Sequence, residues 1–317
     1  SAASDVYKRQ MHNGIFSALT LAGLLTLPVS SLAQLSDTQV WVSNLEHQYT
    51  VLPNITYHTA NNRDNNVDLY LPRDADGSTP VLIYIHGGGW VGGSKESRVL
   101  RLLPWMEMGW AVVNVQYRLN DISLAPAAVE DCRCALRWVI QNAARYNFDT
   151  DRIVVSGDSA GGHLALTTGM LPESAGLDRQ CAGNNISSRG PVELPVAAII
   201  NWYGITDVGD LLEGPNMQSY AVEWLGSIPN RFEVAERVSP LTYVRSGLPP
   251  ILTIHGDADR LVPYQHGVLL HEELTKAGVS NQLHTVPGGG HGGFNRSETI
   301  AIFETIQEFL SGNGLLN

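Results

Sequence analysis

Lysine is scarce in this sequence. Only three lysines occur in 317 residues, Lys8, Lys95 and Lys276, and the formal net charge is −11. A protein that binds along nucleic-acid phosphates needs a clustered positive surface, so the composition argues against a nucleic acid as partner. Hydrophobic residues make up 44% of the chain and charged residues 16%, which is typical of a globular protein with a large buried core.

Cysteine is equally rare, with three residues, Cys132, Cys134 and Cys181. No spacing of cysteine and histidine matches a zinc site, so no metal is predicted. Cys132 and Cys134 lie two apart on a predicted helix and face different directions, so they should not bond to each other. In an oxidising compartment either could pair with Cys181, and three buried thiols are the alternative.

Long hydrophobic runs are also missing, apart from one near the start. Residues 15–29 form an apolar stretch that is too short for a comfortable transmembrane helix. Small residues at Ser31 and Ala33 match the cleavage pattern of a secretory signal peptide, so residues 1–33 are predicted to be a leader. This interpretation predicts a secreted or periplasmic protein without stable membrane insertion. An uncleaved membrane anchor is the alternative.

The remaining chain, residues 34–317, carries no repeat and no low-complexity linker and is predicted to form a single domain. Short β-branched runs alternate with longer segments of helical periodicity, which predicts an α/β fold with a doubly wound, mostly parallel sheet. Eight strands are expected, with helices on both faces and an antiparallel hairpin of the first two strands at one edge. The predicted strands are residues 55–58, 67–71, 81–85, 111–115, 153–155, 197–202, 251–254 and 282–286. The predicted helices are residues 125–146, 161–170, 267–277 and 298–310.

Two long irregular stretches interrupt this alternation, residues 171–195 and residues 205–248. Both contain proline, glycine and polar residues, and the second adds several aromatic side chains. Insertions after strands commonly build lids and substrate walls. Residues 205–248 are therefore predicted to form a small cap, with surface decoration as the alternative.

The strongest local signal is a serine between two glycines, in the motif Gly157-Asp158-Ser159-Ala160-Gly161. An apolar strand precedes this motif and a helical pattern follows it directly. A nucleophile held on a sharp strand-to-helix turn needs this arrangement, because side chains at the glycine positions would clash with nearby backbone. Ser159 is the predicted nucleophile, and the N–H of Ala160 at the helix start is a predicted oxyanion donor.

A second motif, His86-Gly87-Gly88-Gly89-Trp90, follows an earlier predicted strand. Consecutive glycines leave backbone N–H groups accessible to a developing negative charge, so Gly88 and Gly89 are the predicted partners of the Ala160 donor. A phosphate-binding loop is the alternative, but neither the P-loop pattern nor GxGxxG is met. His86 is expected to brace the loop by hydrogen bonding.

A serine hydroxyl needs a base to take its proton, and that base needs a group that orients it. Two loops downstream of Ser159 follow predicted strands, one running from His255 to Asp259 and one rich in glycine around His291. The order serine, carboxylate, histidine selects His291 as the base and Asp259 as its partner. Asp257 is the alternative carboxylate, but it lies closer to the strand end and is expected to brace the loop.

Together, these four motifs resemble those of the hormone-sensitive-lipase-like group of α/β-hydrolases. They also resemble those of secreted bacterial carboxylesterases and acetyl-xylan or feruloyl esterases. The resemblance extends from about residue 49 to residue 310 and implies the α/β-hydrolase fold. A short segment before the first strand departs from the larger members, which turns attention from an N-terminal cap to residues 205–248. The implied catalytic residues are Ser159, Asp259 and His291, with oxyanion donors at Gly88, Gly89 and Ala160.

The resemblance implies hydrolysis of carboxylic esters through an acyl-enzyme, with no metal or organic cofactor. The expected substrates are small or medium acyl esters, or ester groups on oligosaccharide fragments of plant polymers. Trp90, Tyr203 and Trp224 are predicted walls of the substrate pocket, with core packing as the alternative. An amidase or peptidase with the same triad and a non-catalytic ligand-binding protein are the alternative functions. The sequence predicts no oligomeric state.

Overall fold

The computed structural model describes residues 36–181 and 194–316, so the predicted leader lies outside the described residues. The chain divides into two units, Ser1–Trp41 and Val42–Asn317. The described part of the first unit contains the start of helix α1, Asp37–Gln48. All other elements described below belong to the second unit.

One mixed sheet organises the second unit. Its strands, within the described residues, are β1 (Tyr49–Ala60), β2 (Arg63–Pro72), β3 (Thr79–Ile85), β4 (Ala111–Val115), β5 (Phe148–Asp158), β6 (Ala198–Trp202), β7 (Ile251–Gly256) and β8 (Asn281–Val286). Their order across the sheet is β1-β2-β4-β3-β5-β6-β7-β8. The β1–β2 and β2–β4 pairs are antiparallel, and the remaining pairs are parallel. The predicted mostly parallel, eight-stranded fold with an edge hairpin is confirmed.

Helices connect most of these strands. They are α2 (Leu103–Glu107), α3 (Ala127–Gln141), α4 (Ala143–Tyr146), α5 (Ala160–Met170), α6 (Ser219–Leu225), α7 (Arg231–Val238), α8 (Gln265–Lys276) and α9 (Arg296–Gly312). The sequence predicted α5, α8 and α9 closely and merged α3 with α4. It missed α1, α2, α6 and α7, and the last three are too short to give much periodicity to detect. Within the described residues, no helix has the length and apolar character that crossing a bilayer requires.

Helices cover both faces of the sheet, as strand β6 shows. Ile199 contacts Gly169 of α5, whereas Trp202 packs on Phe303 of α9 with ring centroids 5.9 Å apart. Because successive strand residues point to opposite faces, Ile199 and Trp202 define two different faces. Strands β4 and β6 are buried along their whole length, as expected for strands covered on both sides.

A disulfide joins Cys134 of α3 to Cys181, in the segment that follows α5. Cys132 is a free and buried thiol. The two neighbouring cysteines thus have different surroundings, because residues two apart on a helix face different directions. The structure selects Cys134 as the partner that the sequence left open.

Candidate active site

Ser159 lies on the turn between β5 and α5, with φ 56° and ψ −121°. Its N–H donates a hydrogen bond to the carbonyl oxygen of Trp202 at 2.9 Å, which ties the turn to the neighbouring strand. A Cβ at Gly157 would collide with the carbonyl oxygen of Gly161, and a Cβ at Gly161 with that of Ile85. The flanking glycines are therefore required by close backbone approach, which leaves Ser159 on a strained turn at the strand end.

His291 connects Ser159 to a carboxylate. Its Nε2 lies 2.8 Å from Ser159 Oγ, and its Nδ1 lies 2.7 Å from Asp259 Oδ2. A neutral imidazole protonated on Nδ1 donates to the carboxylate and accepts the serine proton on Nε2. The structure thus brings together, in hydrogen-bonding order, the three residues predicted for catalysis, although they come from three separate loops.

Asp259 is held by several donors. Its Oδ1 accepts hydrogen bonds from the N–H groups of Leu261 at 2.8 Å and Val262 at 3.0 Å, and His255 Nε2 lies 3.3 Å from Oδ2. Burial alone would raise the pKa of this carboxyl, but the hydrogen bonds from His255 and His291 outweigh it and hold the pKa well below its ordinary value. Asp259 therefore stays ionised and fixes the orientation of His291. Nothing in the sequence indicated that His255 would contact Asp259.

Asp257, the alternative carboxylate, points elsewhere. Its Oδ1 accepts a hydrogen bond from the N–H of Gly288 at 2.6 Å, and the residue is exposed. This bond joins the loop after β7 to the histidine loop (residues 287–295). Asp257 thus braces two loops, as the sequence suggested, and Asp259 is the carboxylate beside His291.

The side chains near Ser159 do not form a metal site. Across the described residues, no cluster of three or more His, Cys, Asp or Glu is arranged to hold an ion. The two acidic side chains of the loop after β7, Asp257 and Asp259, already accept hydrogen bonds from backbone N–H groups or histidine.

The glycine loop (residues 86–93) presents free backbone donors. Gly88 has φ 122° and is exposed, and Gly89 has φ 60° and is half-buried. In the described part of the chain, the N–H groups of Gly88, Gly89 and Ala160 donate no hydrogen bond to protein. The loop is closed by its own hydrogen bonds, because the carbonyl oxygen of Gly88 accepts from the N–H of Val91 at 3.1 Å and from the N–H of Gly92 at 3.0 Å. These three N–H groups remain available for an oxyanion.

All three predicted pocket walls are buried. Trp90, with φ 61°, and Trp224 of α6 are both 0% exposed, and their rings stack with centroids 4.0 Å apart. The prediction that they contact substrate is corrected, because neither side chain presents surface in this structure, and core packing describes both. Tyr203 is also buried, and the centroid of its ring lies 4.7 Å from that of His291 in an edge-on contact. It supports the histidine.

His163 links the glycine loop to the end of helix α7. Its Nδ1 accepts a hydrogen bond from Trp90 Nε1 at 3.2 Å, and its Nε2 donates to the carbonyl of Val238 at the end of α7 at 2.7 Å. Burial lowers the pKa of His163 to about 3, so the ring is neutral and can both donate and accept. Tyr220 of α6 completes this group by contacting Gly89. We call Trp90, His163, Tyr220 and Trp224 the aromatic flank.

The sheet is mostly parallel and carries a serine on a tight turn, and a histidine and a carboxylate reach this serine from later strand ends. This arrangement defines the class of α/β-hydrolases. Comparison with known families gives the narrower assignment. The BD-FAE family model matches residues 67–274, and the chain belongs to this family. The predicted resemblance to α/β-hydrolase serine esterases is confirmed.

Several curated relatives are esterases. The chain is 28% identical to esterase LipQ of Mycobacterium tuberculosis, over 78% of this chain and 59% of LipQ. It is 30% identical to carboxylesterase NlhH of the same organism, over 72% of this chain and 71% of NlhH. The matches span 59%, 47% and 53% of LipQ, LipM and LipC, so about half of the length of these relatives is covered.

Two similar solved structures are also esterases. Native Est2, a thermophilic esterase from Thermogutta terrifontis, superposes with a TM-score of 0.69 at 29% identity, over 85% of this chain and 94% of Est2. A truncated carbohydrate esterase from gut microbiota gives a TM-score of 0.66 at 27% identity, over 84% of this chain and 98% of that one. The similarity thus extends over most of the described chain.

Proposed function

We propose that this protein hydrolyses carboxylic esters through an acyl-enzyme formed on Ser159. The observation that carries the proposal is the hydrogen-bond chain from Ser159 Oγ through His291 to Asp259. Free N–H donors on the loops around Ser159 and the esterase relatives support it.

The proposed reaction has two halves. Ser159 Oγ attacks the ester carbonyl while His291 Nε2 takes its proton, and Asp259 stabilises the imidazolium. The resulting oxyanion accepts hydrogen bonds from backbone N–H groups, each typically worth roughly 10²–10³ in kcat. The imidazolium then protonates the leaving alcohol. In the second half, a water molecule gives its proton to His291 and attacks the acyl-enzyme, which releases the carboxylic acid and restores Ser159.

We propose small or medium acyl esters as substrates, including ester groups on plant-polymer fragments. The contact of Tyr220 with Gly89 supports a confined acyl space, because it brings cap helix α6 onto the glycine loop. A structural neighbour described as a carbohydrate esterase supports the polymer fragments. A chain-length series of p-nitrophenyl esters, run beside acetylated xylan, methyl ferulate and a matched amide, measures these preferences. A higher kcat/KM on the amide than on its ester would contradict the proposal.

The decisive test is the Ser159→Ala variant assayed on p-nitrophenyl acetate. We expect a loss of kcat on the order of 10⁶, because without the nucleophile no acyl-enzyme forms. Ser280→Ala, an exposed serine before β8, is the matched control and should keep wild-type turnover. A fluorophosphonate probe should label the wild type and the control but not Ser159→Ala. Near wild-type turnover by a folded Ser159→Ala variant would refute the assignment.

We further propose that the chain acts outside the cytoplasm, as a secreted or periplasmic protein. The disulfide between Cys134 and Cys181 supports this location, because such bonds persist in oxidising compartments. Fractionation of cells expressing the full chain should recover the protein outside the cytoplasm. Alkylation after denaturation without reductant should modify Cys132 alone, and modification of all three cysteines would contradict the proposal.

A further inference from the structure

A pair of arginines follows the glycine loop. Both belong to the 3₁₀ segment Lys95–Leu102, in which Arg98 departs from helical geometry with φ −125° and ψ 15°. Arg98 Nε lies 3.3 Å from Asp158 Oδ2, and Arg101 Nη1 lies 3.8 Å from the same oxygen. Two guanidinium groups therefore share one carboxylate oxygen of Asp158, the residue directly before Ser159 in the chain.

Asp158 neutralises only one of these two charges. Its side chain is 2% exposed, and its other oxygen accepts hydrogen bonds from the Tyr84 hydroxyl at 3.0 Å and the N–H of Gly87 at 3.2 Å. Burial raises the pKa of Tyr84 well above its ordinary value, so the phenol stays neutral and adds no negative charge. One positive charge of the pair is left without a balancing carboxylate in this cluster.

The pair lies between the glycine loop and the histidine loop. Asp158 reaches the first loop through Gly87, and Arg101 Nη1 donates to the Tyr203 hydroxyl at 3.1 Å. That hydroxyl lies against Gly292, the neighbour of His291. The leaving alcohol must come within reach of His291 to be protonated, and Arg101 is joined to the loop that carries His291 through the Tyr203 hydroxyl.

We propose that Arg98 and Arg101 form a cationic subsite that binds a carboxylate carried by the alcohol part of the ester. The inference rests on the proposed ester hydrolysis. The side chains are 46% and 29% exposed, so substrate can reach both. Apart from Asp158, no described residue bonds to the guanidinium of Arg98, whose planar donors match a carboxylate. In a chain of net charge −11, this subsite offsets a general repulsion of anions.

The test compares two acetate esters that differ in the charge of the alcohol part, 4-carboxyphenyl acetate and 4-carbamoylphenyl acetate. The measured quantity is the ratio of their kcat/KM values, anionic over neutral. We expect Arg98→Gln and Arg101→Gln each to lower this ratio by about tenfold, through loss of a charge-assisted hydrogen bond. Arg63→Gln, an exposed arginine in the β1–β2 hairpin, changes the net charge equally and should leave the ratio unchanged.

Sodium chloride provides a second test. Raising the salt concentration screens both the attraction by the subsite and the general repulsion of anions, so the ratio of the wild type should fall relative to that of Arg98→Gln as salt rises. Hydrolysis of both esters with a ratio that the two variants leave unchanged, and that salt changes equally in the wild type and Arg98→Gln, would overturn the subsite and assign the arginines to neutralising Asp158. Failure of the wild type to hydrolyse either ester would instead contradict the proposed function, and the subsite with it.

Discussion

The two flanks of Ser159 are built in opposite ways. On the aromatic flank, Trp90 and Trp224 are 0% exposed and stacked. On the cationic flank, which we define as Arg98, Arg101 and Asp158, the arginine side chains are 46% and 29% exposed. The two stacked tryptophans are thus closed to solvent, whereas the two arginines are open to solvent and solute.

The physical reason is the cost of removing charge from water. Aromatic side chains gain free energy by burial and by ring contact, so Trp90 and Trp224 pack until no surface remains. A guanidinium loses several kcal/mol of hydration on burial, and the arginines of the cationic flank keep part of their surface in water. We infer from this difference that the aromatic flank holds the glycine loop in place, whereas the cationic flank is accessible to a substrate.

After Ser159 itself, the largest effect is expected between the flanks, at Asp259. Asp259→Asn should lower kcat on p-nitrophenyl acetate by about 10⁴, because an amide does not hold His291 in the required tautomer. Asp257→Asn is the matched control, since that carboxylate only receives the N–H of Gly288. Equal losses in both variants would show that loop bracing, and not the contact with His291, sets the rate.

The next largest effect is expected for stability on the aromatic flank. Trp224→Ala should lower the free energy of unfolding by about 3–5 kcal/mol, because it leaves a cavity against Trp90. Trp224 Nε1 has no hydrogen-bond partner among the described residues, so the loss comes from packing. Phe232→Ala, at a 47% exposed position in α7, is the control. Urea unfolding that shows similar losses for both variants would contradict the close packing of the two stacked tryptophans.

A pH dependence sharpens the comparison further. Burial lowers the pKa of His163 from 6.5 to about 3, so the unfolded state binds more protons between these pH values. The stability that the neutral ring contributes is therefore complete above pH 6.5 and declines as the pH falls toward 3, by up to about 1.4 kcal/mol per pH unit. In urea unfolding from pH 7 to pH 4, the free energy of unfolding should decline less steeply for His163→Gln than for the wild type. Equal slopes would exclude protonation of His163 as a cause of the decline.

The smallest effect is expected for stability on the cationic flank. Arg98→Gln should change the free energy of unfolding by no more than about 0.5 kcal/mol, because the side chain is half exposed and Arg101 remains beside Asp158. The measurement is urea unfolding beside Trp224→Ala. A loss as large as that of Trp224→Ala would contradict the difference between the flanks, because both flanks would then stabilise the fold.

Sequence patterns predicted the fold well where periodicity is long and poorly where contacts are distant. Strands and longer helices, such as β7 and α9, can be predicted from apolar runs and helical periodicity among residues that are close in sequence. Arg98 and Arg101 gave no signal, since their shared partner is far along the chain and lies one residue before Ser159. The interpretation of Trp90 and Trp224 as pocket walls was wrong for a related reason. Aromatic residues suit a pocket and a core equally, and the sequence does not show which of them face each other.

By itself, the sequence determined the alternation of strands and helices, the strained turn at Ser159, and the strand ends that carry Asp259 and His291. These features are local, because glycine spacing and apolar runs act over a few residues. Only the tertiary structure decided that Asp259 rather than Asp257 meets His291, and that Cys134 rather than Cys132 meets Cys181. It also decided that the two stacked tryptophans are closed to solvent and the two arginines open to it. Those choices depend on the direction in which each side chain leaves its loop or helix, and that direction is set by packing between distant segments.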